Sequence, residues 1–231
     1  MLLELKNITM CFDAPESAET GSQKEQVEIL HDVSFSLDRG QSMAIVAPSG
    51  AGKSTLLSIA GLLLKPSAGS VFIDGVEASA LSDDERSALR ARSIGFLFQH
   101  TQLIGSLRAI ENVLLPVDFA LSGHAGADQR ACAEERAKAM MAEFCLTERT
   151  YHYPFQLSVG QKRRVATARA LVLDPPLIIA DDPTNELDAE NTERVVNALF
   201  RGVESGQAGL LFATHDMSLA KRADHVLNIA E

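Results

Sequence analysis

The stretch SMAIVAPSGAGKSTLL, Ser42 to Leu57, constrains this chain more than any other. A short apolar run with strand character, Ser42 to Val46, enters a loop holding Gly50 and Gly52, and an apolar-faced helical run, GKSTLLSIAGLLL, follows from Gly52. That order of strand, loop and helix makes a phosphate-binding turn, because successive backbone N–H groups can curl round an anion at the start of the helix. The residues that would contact it are Ser49, Gly50, Ala51, Gly52, Lys53, Ser54 and Thr55. Lys53 is placed to reach the β- and γ-oxygens of ATP, and the Ser54 hydroxyl to ligate Mg²⁺. The pattern G-x-x-x-x-G-K-[ST] asks for glycine where Ala47 stands. Ala47 falls at the strand end, where glycine would supply φ freedom rather than a contact, so alanine costs little if its φ is negative.

The surrounding pattern is that of an α/β fold. Apolar runs MLLELKNI, VSFSL, SMAIV, SVFID, IGFLF, PLIIA, GLLFAT and HVLNIA read as strands, and helical patterns alternate with them. Ser82 opens SDDE, a capping box with acid in the first turn, which marks a helix start. From about Ala109 to Leu171 the pattern turns wholly helical, as if a helical subdomain were spliced into a sheet domain. The segment Asp13 to Gln26 is polar and aperiodic and reads as an exposed loop. The charge run QKRRVATAR reads as a helix with Arg and Lys outward and Val and Ala inward.

Charge and length narrow the function. With 231 residues the chain suits one folding unit, and a formal net charge of -10 argues against a nucleic-acid partner, which calls for clustered Lys and Arg. Cys11, Cys132 and Cys145 share no metal-ligand spacing and read as reduced thiols in a cytosolic protein. The longest apolar run, LLSIAGLLL, is about half the ~20 residues needed to cross a bilayer, so any membrane part belongs to another chain.

A second element, PLIIADDPT, is an apolar strand that ends in Asp181 and Asp182, at the carboxyl edge where α/β sheets bind ligands. Asp181 would hold Mg²⁺ through water, opposite Ser54. With the loop, this makes the chain resemble the nucleotide-binding subunits of ABC transporters over essentially its whole length. LSVGQKRR, Leu157 to Arg164, is similar to that family's signature; FLFQH supplies Gln99 of its glutamine loop; NELD, Asn185 to Asp188, matches its D-loop; ATHD supplies the switch histidine, His215. Phe12 stands where the family stacks an aromatic ring on adenine. The run IGFLFQHTQLIGSLRAIENVLLP further resembles the branch of lipoprotein-releasing ATPases and those paired with macrolide or antimicrobial-peptide permeases.

The resemblance implies a P-loop ATPase core, 1–98 and 172–231, with N-terminal antiparallel strands and a helical subdomain at about 99–171. It implies catalytic roles for Asp182, His215 and Gln99, with Mg²⁺ at Ser54, Gln99 and Asp181. Ser158, Gly160 and Gln161 would close on the ATP held by Lys53 of a second chain, head to tail, and a permease would dock near Gln99. The subunit would then lie in the cytoplasm, peripheral on the inner face of the membrane. Three positions depart from the family: Ala47, Val159 in place of a signature glycine, and Asp182 in place of glutamate. A β-branched Val159 restricts backbone that must approach phosphate, and Asp182, shorter by one methylene, implies slow hydrolysis. The expected partner is a second copy, a paralogous ATPase being the alternative, because a heterodimer would carry a fault in both sites. Two other readings stay open: a non-transport ABC ATPase, and an ATP-binding regulatory subunit that hydrolyses weakly.

Overall fold

The apolar runs become strands of two sheets, one antiparallel and one parallel. The computed structural model describes residues 1–13, 26–120 and 127–229. In chain order the strands are β1 (Leu3–Asp13), β2 (Gln26–Leu37), β3 (Ser42–Val46), β4 (Ala68–Ile73), β5 (Val76–Glu77), β6 (Ile94–Leu97), β7 (Leu177–Asp181), β8 (Gly209–Ala213) and β9 (His225–Asn228). The helices are α1 (Lys53–Ala60), α2 (Asp83–Ser93), α3 (Ala109–Ala120), α4 (Ala127–Glu143), α5 (Val159–Leu171), α6 (Ala189–Glu204) and α7 (Met217–Ala220).

β2, β1, β4 and β5 pair antiparallel, and β6, β7, β8, β3 and β9 pair parallel in that order. Every residue of β7 and β8 is buried, as expected of a parallel sheet covered on both faces. Alternation sorts their side chains between two cores. Ala44, Ile178, Ala180, Leu210 and Phe212 pack with the helical layer, including Val113, Phe144, Val165 and Leu199. Met43, Ile45, Leu177, Ile179 and Leu211 pack with α1 and the antiparallel sheet. Ser82 caps α2 with the full capping box read from SDDE. Among the described residues 109–171 no strand forms, in keeping with the helical pattern there.

Two expectations are corrected. The helix after the loop ends at Ala60 rather than Leu64, because Leu62 takes a left-handed φ of 58° and the N–H groups of Leu63 and Leu64 turn back to the Ser58 carbonyl. The run QKRRVATAR is not a basic outer face: Arg163 and Arg169 are buried, and their guanidiniums donate to backbone carbonyls of the 98–102 loop. The loop expected at Asp13 to Gln26 lies largely outside the described residues, and its two ends pair as the last rungs of β1 and β2.

Candidate functional site

All strands of the parallel sheet point the same way, so their carboxyl ends share one edge. Four neighbours, β6, β7, β8 and β3, deliver Gln99, Asp181 with Asp182, His215 and the glycine loop to that edge. They surround a cavity of about 380 Å³ lined by Ser49, Gly50, Gly52, Lys53, Ser54, Thr55, Gln99, Asp181, Asp182 and His215, with Phe12 and Ile29 of the antiparallel sheet as its apolar wall. Ala51 is the one loop residue of the expected set absent from that lining; its N–H closes the turn on the Pro48 carbonyl.

The loop explains its own sequence. Gly50 and Gly52 take φ of 84° and 89°, and a Cβ on Gly52 would press on Ile29 and Leu30. Ala47 is not among the positive-φ residues, so the missing glycine removes a conformational freedom that the path does not use. Lys53 is buried, and its ammonium donates to the carbonyls of Ala47 (2.8 Å) and Pro48 (3.1 Å), which centres the charge inside the loop. The N-terminus of α1 adds unsatisfied N–H groups facing the same space.

Across the cavity Asp182 sits in left-handed backbone, φ 43°, held by its N–H on the Ala213 carbonyl (3.0 Å). Its carboxylate accepts the His215 N–H (3.2 Å) and faces His215 Nε2 at 3.7 Å. Phe12 is 42 % exposed on β1, so it is a surface ring at the cavity mouth rather than a core residue. Ile29 of β2, which shares that wall, carries no motif that marks it in the sequence; its place against Gly52 of the loop gives it a role. Ser158, Gly160 and Gln161 are not in this cavity. They form the start of α5, where Ser158 and Gln161 complete a capping box (2.9 and 3.3 Å), and Gly160 packs near Glu186 and Leu187. Ser158 and Val159 are exposed, so the signature faces outward from its own chain.

A family model for the ABC transporter matches residues 30–185. The chain belongs to the ABC transporter family. The lipoprotein-releasing system ATP-binding protein LolD of Hyphomonas neptunium is 40 % identical over 205 residues, 89 % of this chain and 87 % of LolD. The macrolide export ATP-binding/permease protein MacB of Shewanella sp. strain ANA-3 is 39 % identical over 227 residues, 98 % of this chain and 33 % of MacB. Both lie in the branch that the IGFLFQH stretch resembles. Among solved ABC cassettes, MJ0796, dimeric and in a post-hydrolysis state bound to ADP and Pi, matches with a TM-score of 0.88 and 36 % identity, over 99 % of this chain and 94 % of that one.

Among the described residues of this ABC cassette no group of three or more His, Cys, Asp or Glu forms a metal cluster. The donor set here is sparser: one buried carboxylate, Asp181, beside the Ser54 hydroxyl and the Gln99 amide. Hard oxygen donors in that number suit Mg²⁺ shared with phosphate. Burial raises the Asp181 carboxyl above the ordinary aspartate range, and Asp182 adds to it, while the Ser54 hydroxyl, Lys53 and Arg163 pull it back. A raised folded-state value means that Asp181 costs the fold stability, a cost that builds up as pH rises from the ordinary aspartate range to the raised value and is complete above it. Asp181→Asn is therefore expected to raise the melting temperature of the nucleotide-free chain near pH 7.5. The gain should shrink as pH falls toward the ordinary aspartate range. Thermal scans across pH check this; a lower melting temperature at pH 7.5 would show the carboxylate to be fully compensated.

Proposed function

We propose that this chain is the ATP-binding and ATP-hydrolysing subunit of an ABC transporter, which closes head to tail with a second copy around ATP and drives a separate membrane permease. One observation carries the reading: residues from five separate stretches, Phe12, Ser49 to Thr55 apart from Ala51, Gln99, Asp181 with Asp182, and His215, line one cavity. Phe12 stacks adenine; the loop amides and Lys53 take the phosphates; Gln99 and His215 orient water and γ-phosphate; Asp182 accepts the proton of the attacking water. Ser54, Gln99 and Asp181 would hold Mg²⁺, whose chemistry is to neutralise charge on the β- and γ-oxygens.

Ser158, Gly160 and Gln161 face outward and complete the site of the second copy. The residues divide into an ATPase core, 1–98 and 172–231, and a helical subdomain, about 99–171. Between them, beside the loop after β6, lies a groove of about 550 Å³ flanked by Arg90, Phe96, Gln102, Leu115 and Phe119, the last 66 % exposed. The permease docks there. No described helix is long and apolar enough to cross a membrane, which suits a subunit held on the inner face of the cell membrane by that permease. LolD and MacB are named for lipoprotein release and macrolide export, and the cargo here is of that range: a lipoprotein, or an exported drug, peptide or lipid-like molecule. Turnover is slow, because Asp182 is shorter than the glutamate of the family.

Light scattering tests the assembly. The chain is expected to be monomeric alone and dimeric with Mg-ATP, most clearly in Asp182→Asn. A dimer that ignores nucleotide would contradict ATP as the interface, and a monomer throughout would overturn self-assembly around ATP in favour of a permease-dependent pair.

A further inference from the structure

Two arginines of the charge run point into the protein, and both reach the loop that carries Gln99. Arg163 is 0 % exposed; its Nη1 donates to the Phe98 carbonyl and its Nη2 to the Gln99 carbonyl, each at 2.6 Å. Arg169 donates to the carbonyls of Thr101 (2.7 Å) and Gln102 (2.9 Å). Buried Asn112 of α3 continues the pattern: its side chain accepts the Ile104 N–H and donates to the carbonyls of Ile104, Leu107 and Arg108. Backbone between 98 and 108 thus finds hydrogen-bond partners in the helical layer rather than in the sheet it leaves.

We propose that Arg163 is a positioning residue for Gln99: its guanidinium makes the glutamine loop follow α5, whose first residues are the signature, so that a shift of the signature against a second copy reaches Gln99 in the cavity. The inference rests on the roles given above to Gln99 and Ser158. Three features favour Arg163 for this link. It lies two residues after Gln161 on the same helix, within the signature stretch itself. Its planar fork fixes two successive carbonyls, which a lysine's point charge would not. And α5 has no slack against β6, since a Cβ on Gly95 would run into the Ala170 carbonyl. Burial opposes the guanidinium charge, Nε has no hydrogen-bond partner, and the carboxylates of Glu186, Asp182 and Asp181 offset the burial. The group that ties the loop therefore feels the charge of the catalytic edge as well.

Hydrogen exchange on the full nucleotide-free chain tests the link without any hydrolysis. Arg163→Gln is expected to speed exchange of the 98–107 amides about 10-fold or more, leaving β7, β8 and α1 unchanged. In the same variant kcat should fall about 10-fold while ATP affinity stays within about 2-fold of wild type, because the group displaced orients the reaction rather than the nucleotide. Arg163→Lys should fall between the two on both readouts, and serves alone if the glutamine variant does not fold. Unchanged exchange in 98–107 overturns the proposal, and so does loosened exchange with unchanged kcat. A uniform rise in exchange across the chain overturns it too, by making Arg163 a general stabiliser. If no protein, wild type included, hydrolyses ATP, the proposed function fails while the exchange result still decides whether Arg163 holds the loop.

Discussion

Lys53→Ala is expected to weaken Mg-ATP binding about 100-fold or more, with the fold intact. The lysine ammonium lies inside the loop, within 2.8 and 3.1 Å of the Ala47 and Pro48 carbonyls, where phosphate oxygens would also find it. Charge-assisted hydrogen bonds contribute about 1.5–3 kcal/mol each, so losing contacts to two phosphates removes roughly 3–6 kcal/mol, and each 1.4 kcal/mol is about tenfold in affinity. The two carbonyls freed by the substitution lie at a surface turn, with Pro48 exposed, and water can replace the ammonium there. The folded state should therefore survive, which thermal unfolding checks alongside a nucleotide titration. Unchanged affinity in a folded Lys53→Ala protein would refute the placement of phosphate in this loop.

What could be read in the sequence was whatever leaves a one-dimensional trace. β7 and β8 are buried on both faces, so they print as apolar runs, LIIA before Asp181 and GLLFA. Gly50 and Gly52 print because only glycine suits their backbone. Asp181 and Asp182 are legible at the end of such a strand, whereas Gln99 and His215 are marked only by the family resemblance of FLFQH and ATHD. Arg163 and Arg169 were misread for the opposite reason: their partners are carbonyl oxygens, which every residue has and no letter marks. A buried arginine and a solvated one look alike in a charge run until the fold supplies acceptors. The end of α1 was misplaced because Leu62 adopts left-handed backbone under tertiary packing, against its own preference. The signature is legible by its motif, whereas its place at an exposed helix start, away from the cavity, is visible only in the fold.

Asp182→Asn is expected to reduce ATP hydrolysis about 100-fold or more, since a positioned general base contributes roughly 100- to 10,000-fold. The substitution is well suited to the site. Asparagine tolerates left-handed backbone as readily as aspartate, so φ 43° is kept, and its amide oxygen can still accept the His215 N–H that the carboxylate accepts at 3.2 Å. Only the basicity is lost. Asp182→Glu moves the carboxylate outward by one C–C bond, about 1.5 Å, and misplacement on the order of 1 Å can cost roughly 100-fold; the longer side chain is therefore expected to raise basal hydrolysis about 10-fold or more, with ATP affinity little changed. Glutamate suits φ 43° less well than aspartate, so this gain should come with a melting temperature lower by about 2–4 °C, roughly 1 kcal/mol. The opposing view is that the strand end and His215 have adjusted to the shorter acid, which already faces Nε2 at 3.7 Å; glutamate would then crowd the attacking water and slow the reaction. Steady-state phosphate release from wild type and the two variants separates these. Equal or lower activity in Asp182→Glu defeats slow turnover as a consequence of the short side chain, and activity in none of them, with or without a permease, assigns the chain a regulatory rather than a hydrolytic part.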